Sequence, residues 1–432
     1  MLLTGAGLRQ IFNLTSPFTV DGRLKPENER VTLLAANANF PLELQFRAFA
    51  MAGALGDGSP IIVQMSQNAA EAAAGDPGKV LPLQGVKHYS PDTNVVLGAQ
   101  LAAQQLTRLA REYNAPYLAL SLDHFKVPAF SKEKLLARPN PKQGLSHTLA
   151  EARLGHVLEH MLAVFGEEAV IDADTREAYC RYFTGQEYLV FKRDFVRVVE
   201  LVRPAWGMID TEQLPPVLDF LVTRDIRDTV RHTLGNDEII IEAEFGATGT
   251  SGQALDYQRL RGKELEHFAA KVVSFIRYTG ADAIAYPIGM EHAAKKDSKH
   301  EPDVERMEVV QTALYRSLGK YVPFAQHGGS GAAKIARGLV GKNNVNTHFL
   351  VAGSSAVGEY AVTNIDAIRA GDKKYCGPAI FTQYMQAVAM ATRDKLAETG
   401  SLNLGSVLQA HLPVLGTLSR ESAAKPMGDY DE

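Results

Sequence analysis

The side chains best suited to chemistry sit where short apolar runs stop. In chain order these ends are Asn39, Ser66, Asp123-His124, Asp210, Glu244, His292, His327 and Asn344-Val-Asn346-Thr347. A core strand has no use for them, because a polar group buried without a partner costs roughly 1–3 kcal/mol. Imidazole carries a nitrogen lone pair at neutral pH, so three histidines, or three with a carboxylate, suit a borderline cation such as zinc. An ion with one coordination position open is a Lewis acid for a substrate oxygen. Each histidine alone reads more readily as a hydrogen-bonded loop residue; their joint occurrence at strand ends favours a metal. Asp123 would lie close enough to a bound substrate to move a proton, or would fix a histidine tautomer. Neighbours on a strand face opposite ways, so Asp123 and His124 share a site only if the strand twists there.

Two glycine-rich stretches follow such ends. His327-Gly-Gly-Ser-Gly331 runs into a predicted helix over 332–339. Its glycines let the backbone approach an anion, and the N–H groups of a helix start would face it. Glu244-Phe-Gly-Ala-Thr-Gly-Thr-Ser-Gly252 puts a carboxylate before a loop whose composition suggests mobility or a plain surface turn.

The elements that must position these groups alternate. Strands are predicted over 31–39, 60–66, 116–124, 205–210, 238–246, 282–292 (strand six with its loop), 322–331 and 343–351. Helices are predicted over 41–54, from a cap at Asp92 to Tyr113, and over 215–235, 255–279 and 303–318. Residues 126–203 break the rhythm with polar, helical sequence, including a helix from His147 to Phe165. They form an insertion, a lid or a subunit contact. Eight alternations predict an α/β fold, a (β/α)8 TIM barrel. It forms one domain over 1–432, with the helical insertion after strand 3 and a helical C-terminal extension over 357–432. An open doubly wound sheet would not need the same chemistry from so many strand ends. A barrel gathers those ends at one rim, and its anion site often lies between strands seven and eight.

Composition bounds the partners. The chain has 432 residues, 46% hydrophobic and 22% charged, with a formal net charge of -4. That balance argues against nucleic-acid or anionic-membrane binding, which want a basic face. No apolar run is long enough to span a bilayer. Two cysteines, Cys180 and Cys376, suit a reducing compartment, so a cytoplasmic location is expected.

The motifs in order resemble the class II, metal-dependent fructose-bisphosphate aldolases. The matching residues are Gln64-Met-Ser66, Leu122-Asp123-His124, Met208-Ile-Asp210, Glu242-Ala-Glu244-Phe-Gly246, Gly289-Met-Glu-His292, His327-Gly-Gly-Ser-Gly331 and Asn344-Val-Asn346-Thr347. The resemblance implies that His124, His292 and His327 bind the catalytic zinc, with Glu244 beside it or as an alternative ligand. Asp123 looks like the acid/base acting on the hydroxyl next to the bond being cleaved, and Asp210 like a carboxylate behind the ligands. Gly328, Ser330, Asn344, Asn346 and Thr347 would hold the phosphate of dihydroxyacetone phosphate, with Ser66 and Asn39 toward the other half of the sugar. The implied reaction is reversible cleavage of fructose 1,6-bisphosphate to dihydroxyacetone phosphate and glyceraldehyde 3-phosphate through a metal-stabilised enediolate. The cation is zinc, with another divalent ion or an added monovalent ion as alternatives. The implied partners are a sugar phosphate and copies of the chain in a homodimer or homotetramer.

The chain departs from the family's pattern in several places. Thr248-Gly-Thr-Ser-Gly-Gln253 lacks the glutamates of the family's loop, Ala293 stands where glycine is usual, and the arginine expected near Lys373-Lys-Tyr-Cys-Gly-Pro-Ala379 is missing, leaving Lys373 or Lys374 as substitutes. The helix after Gly331 is also shortened. A divergent member is expected, so another ketose phosphate such as tagatose 1,6-bisphosphate remains an alternative. A zinc barrel hydrolase is disfavoured because no His-x-His occurs. A non-catalytic relative is disfavoured by the retained Asp123 and histidines.

Overall fold

Period-two alternation builds the barrel and decides which side chains enter it. The computed structural model describes residues 2–39, 41–74, 95–137, 145–246, 260–289, 301–331 and 334–411. Its eight parallel strands are β1 (Leu33–Asn37), β2 (Ile61–Ser66), β3 (Leu118–Lys126), β4 (Trp206–Asp210), β5 (Ile240–Glu244), β6 (Ala283–Ala285), β7 (Ala325–Gln326) and β8 (Lys342–Val345). They run in the order β6-β5-β4-β3-β2-β1-β8-β7, and a parallel bridge between Ile284 and Phe324 closes β6 onto β7. The fold is a (β/α)8 barrel.

Odd and even positions of each strand divide between two cores. Leu33, Ala35, Ile62, Ala119, Trp206, Ile240, Ala283, Ala285 and Ala325 pack inside the barrel. Leu34, Ala36, Ile61, Val63, Leu118, Leu120, Ile209, Ile241 and Ile284 pack outward against the helices. The inward set, continued two residues at a time, reaches Asn37, Ser66, Asp123, Asp210, Glu244, His327 and Asn344. Alternation alone therefore delivers the polar ends to the interior of one rim.

The opening helix, Gly5–Leu14, closes the opposite end. Leu3 N donates to Leu118 O at 2.7 Å, and the Phe12 ring lies 5.5 Å from that of Trp206. The insertion is helical, as expected, with helices Lys132–Ala137, Leu145–Phe165, Ala173–Phe183 and Gln186–Val202. Ala150, Leu154, Val157, Met161 and Phe165 bury one face of its longest helix. Phe165 meets Phe220 edge-on at 5.6 Å, so the insertion adds to the barrel's outer layer.

Two boundaries need correction. Residues 334–340 form a turn and not the predicted helix: Arg337 bridges to Val340, and Gly338 sits at φ 74°. A run of about eight residues is too short to overcome helix nucleation without packing to support it. Strand eight stops at Val345, and Thr347–Thr363 is helical. Its apolar Phe349-Leu-Val351 suits either state. The predicted cap at Asp92 and residues 247–252 of the stretch expected to follow Glu244 as a loop lie outside the described residues. Among the described residues, no helix is long and apolar enough to cross a membrane.

Candidate active site

Strand β3 solves the problem of presenting two neighbours to one site. Its pairing with β4 slips between Leu122 and Phe125. His124 at the slip has φ 47°, a left-handed conformation that costs a non-glycine residue roughly 1–2 kcal/mol. The slip leaves Asp123 fully buried in the barrel and turns His124 toward the same rim. Strain of this kind persists only where surrounding structure fixes it.

The surroundings do fix it. Asp210, 3% exposed at the end of β4, holds His124 Nδ1 at 2.9 Å through Oδ2 and accepts Glu212 N at 3.3 Å through Oδ1. His124 Nε2 then lies 3.2 Å from His327 Nδ1, and the rings meet edge-on at 4.8 Å. Behind His327, Nε2 faces Glu242 Oε1 at 3.1 Å. Each imidazole thus has a carboxylate on its outer nitrogen, and the two inner nitrogens face each other.

That arrangement fits a shared cation. A carboxylate accepting the outer N–H leaves the lone pair on the inner nitrogen. Two lone pairs at 3.2 Å repel unless a positive charge lies between them. Two imidazoles on one tetrahedral zinc at ~2.0–2.1 Å would place their nitrogens about 3.3 Å apart. His292, the third expected ligand, lies outside the described residues, and among the described residues no cluster of three or more ligating side chains is assembled. Glu244 is buried on the inward face of β5, two residues from Glu242.

Charge follows the same geometry. Burial alone would lower the His124 pKa, but Asp123, Asp210 and Glu242 outweigh it and raise it to about 9. Burial would raise Asp210, yet the hydrogen bond and charge of His124 hold it down at about 2. Burial would likewise raise Glu242, but the adjoining ammonium of Lys342 and the hydrogen bond from His327 hold it at about 2.

Asp123 is held by amides. Asn37 Nδ2 donates to its Oδ2 at 2.7 Å, and Asn344 Nδ2 lies 3.4 Å from its Oδ1. Both oxygens are thereby oriented without a permanent cation beside them. Asn37 Oδ1, Asn344 Oδ1 and both amide atoms of Gln64 are buried without a hydrogen-bond partner. Unpaired buried amides are costly, and here they line the rim where a polar ligand would satisfy them.

The helix start beside Ser330 differs from the one expected. Because 334–340 is a turn, the helix start comes from Thr347–Thr363 after β8. Ser330 Oγ accepts from Asn346 N at 2.9 Å and His348 N at 3.4 Å. Gly328 has φ 74°, and a Cβ on Gly329 would stand 2.1 Å from Asn343 Oδ1, so the backbone passes where no side chain fits. Asn39 Nδ2 reaches Asn346 Oδ1 at 2.5 Å. Ser66 caps the helix Gln67–Ala73 through Ala69 N at 3.2 Å and pairs in register with Asp123.

Sequence reading gave no role to Asn37, Lys342 or Trp206, and none to Glu242 although it stands in the quoted motif Glu242-Ala-Glu244. One signal was present: Glu242 and Glu244 are two apart on a strand, so both point inward.

The fold recurs in a known protein. The chain shares its fold with the fructose-bisphosphate aldolase of Campylobacter jejuni, at 18% identity and a TM-score of 0.56, covering 93% of this chain and 96% of that one. A Coccidioides immitis protein provisionally assigned as a fructose-1,6-biphosphate aldolase aligns at 14% identity and a TM-score of 0.45 over 87% of this chain and 94% of that one. No curated protein sequence matches the chain. Residues 208–403 match the family model described as fructose-bisphosphate aldolase class-II. Over those residues the chain is similar to the class II fructose-bisphosphate aldolase family.

Proposed function

We propose that this chain is a zinc-dependent aldolase that cleaves a ketose bisphosphate, with fructose 1,6-bisphosphate as the favoured substrate. One observation carries the reading: two imidazoles face each other at 3.2 Å, each backed by a buried carboxylate, beside the buried Asp123. A divalent cation bound there would supply Lewis acidity toward substrate oxygens. His124 and His327 would hold it, with His292 and Glu244 as the remaining donors.

The chain's own residues account for the other steps. Gly328, Ser330, Asn346 and Thr347 would seat one phosphate at the start of the helix Thr347–Thr363, where backbone N–H groups favour an anion. Asp123, oriented by Asn37 and Asn344, takes the proton from the hydroxyl next to the breaking carbon–carbon bond and returns it in condensation. Gln64 and Asn344 offer unpartnered amide atoms to the sugar hydroxyls. A cytoplasmic setting suits the free thiols Cys180 and Cys376.

We also propose that the chain pairs with itself. Residues 354–383, from the second half of the helix Thr347–Thr363 into the helix Pro378–Thr399, contain no buried residue, and Val362 and Phe381 are 75% and 53% exposed. Light scattering should give a mass at least twice 47.0 kDa.

A coupled cleavage assay across ketose bisphosphates, run with metal analysis of the purified chain, tests the function. Chelation should abolish cleavage, and borohydride with substrate should not. Inactivation by borohydride, or no cleavage of any ketose bisphosphate by metal-replete protein, would overturn the proposal.

A further inference from the structure

Lys342 is fully buried at the start of β8, pointing into the barrel. A buried ammonium is unfavourable unless a counter-charge and hydrogen bonds compensate it. Its Nζ lies 2.7 Å from Glu242 Oε2 and 4.8 Å from the centre of the Trp206 ring. Trp206 Nε1 donates to that same Oε2 at 2.5 Å. The two oxygens of Glu242 are therefore divided: Oε2 takes the ammonium and the indole, and Oε1 faces His327 Nε2 at 3.1 Å. Three strands, β4, β5 and β8, converge on one carboxylate whose other side meets a candidate metal ligand.

We propose that Lys342 is a positioning residue for the cation site. With Trp206 it clamps Glu242 so that Oε1 accepts the His327 Nε2–H, which fixes the tautomer whose Nδ1 lone pair faces His124. The inference rests on His124 and His327 being cation ligands. Without the ammonium, Oε2 keeps only the indole donor and the carboxylate is free to rotate off His327. The imidazole then gains access to its other tautomer, with Nδ1–H aimed at the position a cation needs. A lysine that merely filled the barrel would leave that tautomer unchanged.

The test uses the full chain, stripped of metal and titrated with zinc ions against a chromophoric chelator. In parallel, long-range proton–nitrogen spectra of histidine-labelled protein report the tautomer of His327. Trp206 is the single tryptophan, so its emission follows the same cluster. Wild-type protein should show the Nε2–H tautomer and an emission change on zinc addition. Lys342→Met, which keeps the length and removes the charge, should bind zinc 10–100-fold more weakly, the range for groups behind a ligand. His327 should then show a mixed or Nδ1–H tautomer, with turnover at saturating zinc falling much less than affinity. If Lys342→Met does not fold, Trp206→Phe removes the other donor to Oε2 and should weaken zinc in the same direction. An Nδ1–H tautomer in the wild type, or wild-type affinity and tautomer in Lys342→Met, would overturn the clamp while leaving the metal reading intact. Wild-type protein that binds no zinc would overturn the metal reading and the clamp with it.

Discussion

The two ends of this barrel bury carboxylates in opposite ways. At the floor, Asp282 precedes β6 and is gripped by two guanidinium groups, with Arg9 Nη1 at 2.9 Å from Oδ1 and Arg231 Nη2 at 2.5 Å from Oδ2. Ile241 N adds a third donor at 2.9 Å. At the rim, Asp210 and Glu242 Oε1 face imidazoles and Asp123 faces amides, while Glu242 Oε2 takes the Lys342 ammonium and the Trp206 indole. A guanidinium is always charged and completes the account of the group it pairs with. An imidazole has a second nitrogen, so a carboxylate on one side readies the other side for a ligand. The floor is finished, whereas the rim has unpartnered amide atoms around its paired groups. Burial alone does not mark a functional acid; what it is paired with does.

This contrast is open to attack from both ends. The largest effect is expected at the rim: Asp123→Ala should lower cleavage about 10²–10⁴-fold, the usual worth of a positioned acid/base. Bound metal, measured by elemental analysis, should be unchanged; undiminished turnover would remove Asp123 from the chemistry. At the floor, Asp282→Asn should cost about 3 kcal/mol of stability in chemical denaturation, since it leaves Arg231 buried without its counter-charge. Turnover per folded molecule should not change; a loss there would erase the distinction between the ends. Asp210→Asn should sit between these cases, with zinc affinity down about 10–100-fold and the fold retained, as a chelator titration would show.

A smaller effect follows from acidity. Burial would raise the Asp282 pKa, but the hydrogen bond and charge of Arg9 and the charge of Arg231 lower it below the ordinary value. A depressed carboxyl contributes stability that is present above the unfolded pKa of about 3.9 and is lost as pH falls through the folded value. Wild-type stability should therefore fall more steeply below about pH 4 than that of Asp282→Asn. Parallel slopes would contradict the assignment. The smallest effect belongs to the surface. Arg197→Ala breaks an exposed pair with Glu200 and should shift stability by at most about 0.5 kcal/mol.

The sequence made the rim visible because alternation is strict: runs such as Leu118 to Leu122 announce a buried strand, and the groups after them must then lie at its end. It did not reveal how Asp123 and His124 share a face, since a register slip and a left-handed φ leave no trace in residue type. The roles of Glu242 and Lys342 were hidden for another reason. A charged residue inside an apolar run reads as a weak strand until its partner is seen, and these two are 100 positions apart. The helix start near Ser330 was misplaced because the contact of Ser330 with Asn346, 16 positions away, depends on where β8 ends, and apolar Phe349-Leu-Val351 fits strand or helix equally.

Anomalous diffraction at the zinc edge from crystals of the zinc-loaded chain tests the shared cation most directly. The account predicts one strong peak within about 2.0–2.2 Å of both His124 Nε2 and His327 Nδ1. A peak that touches only one of these histidines, or a zinc-loaded crystal whose only peaks lie away from the rim, would contradict it.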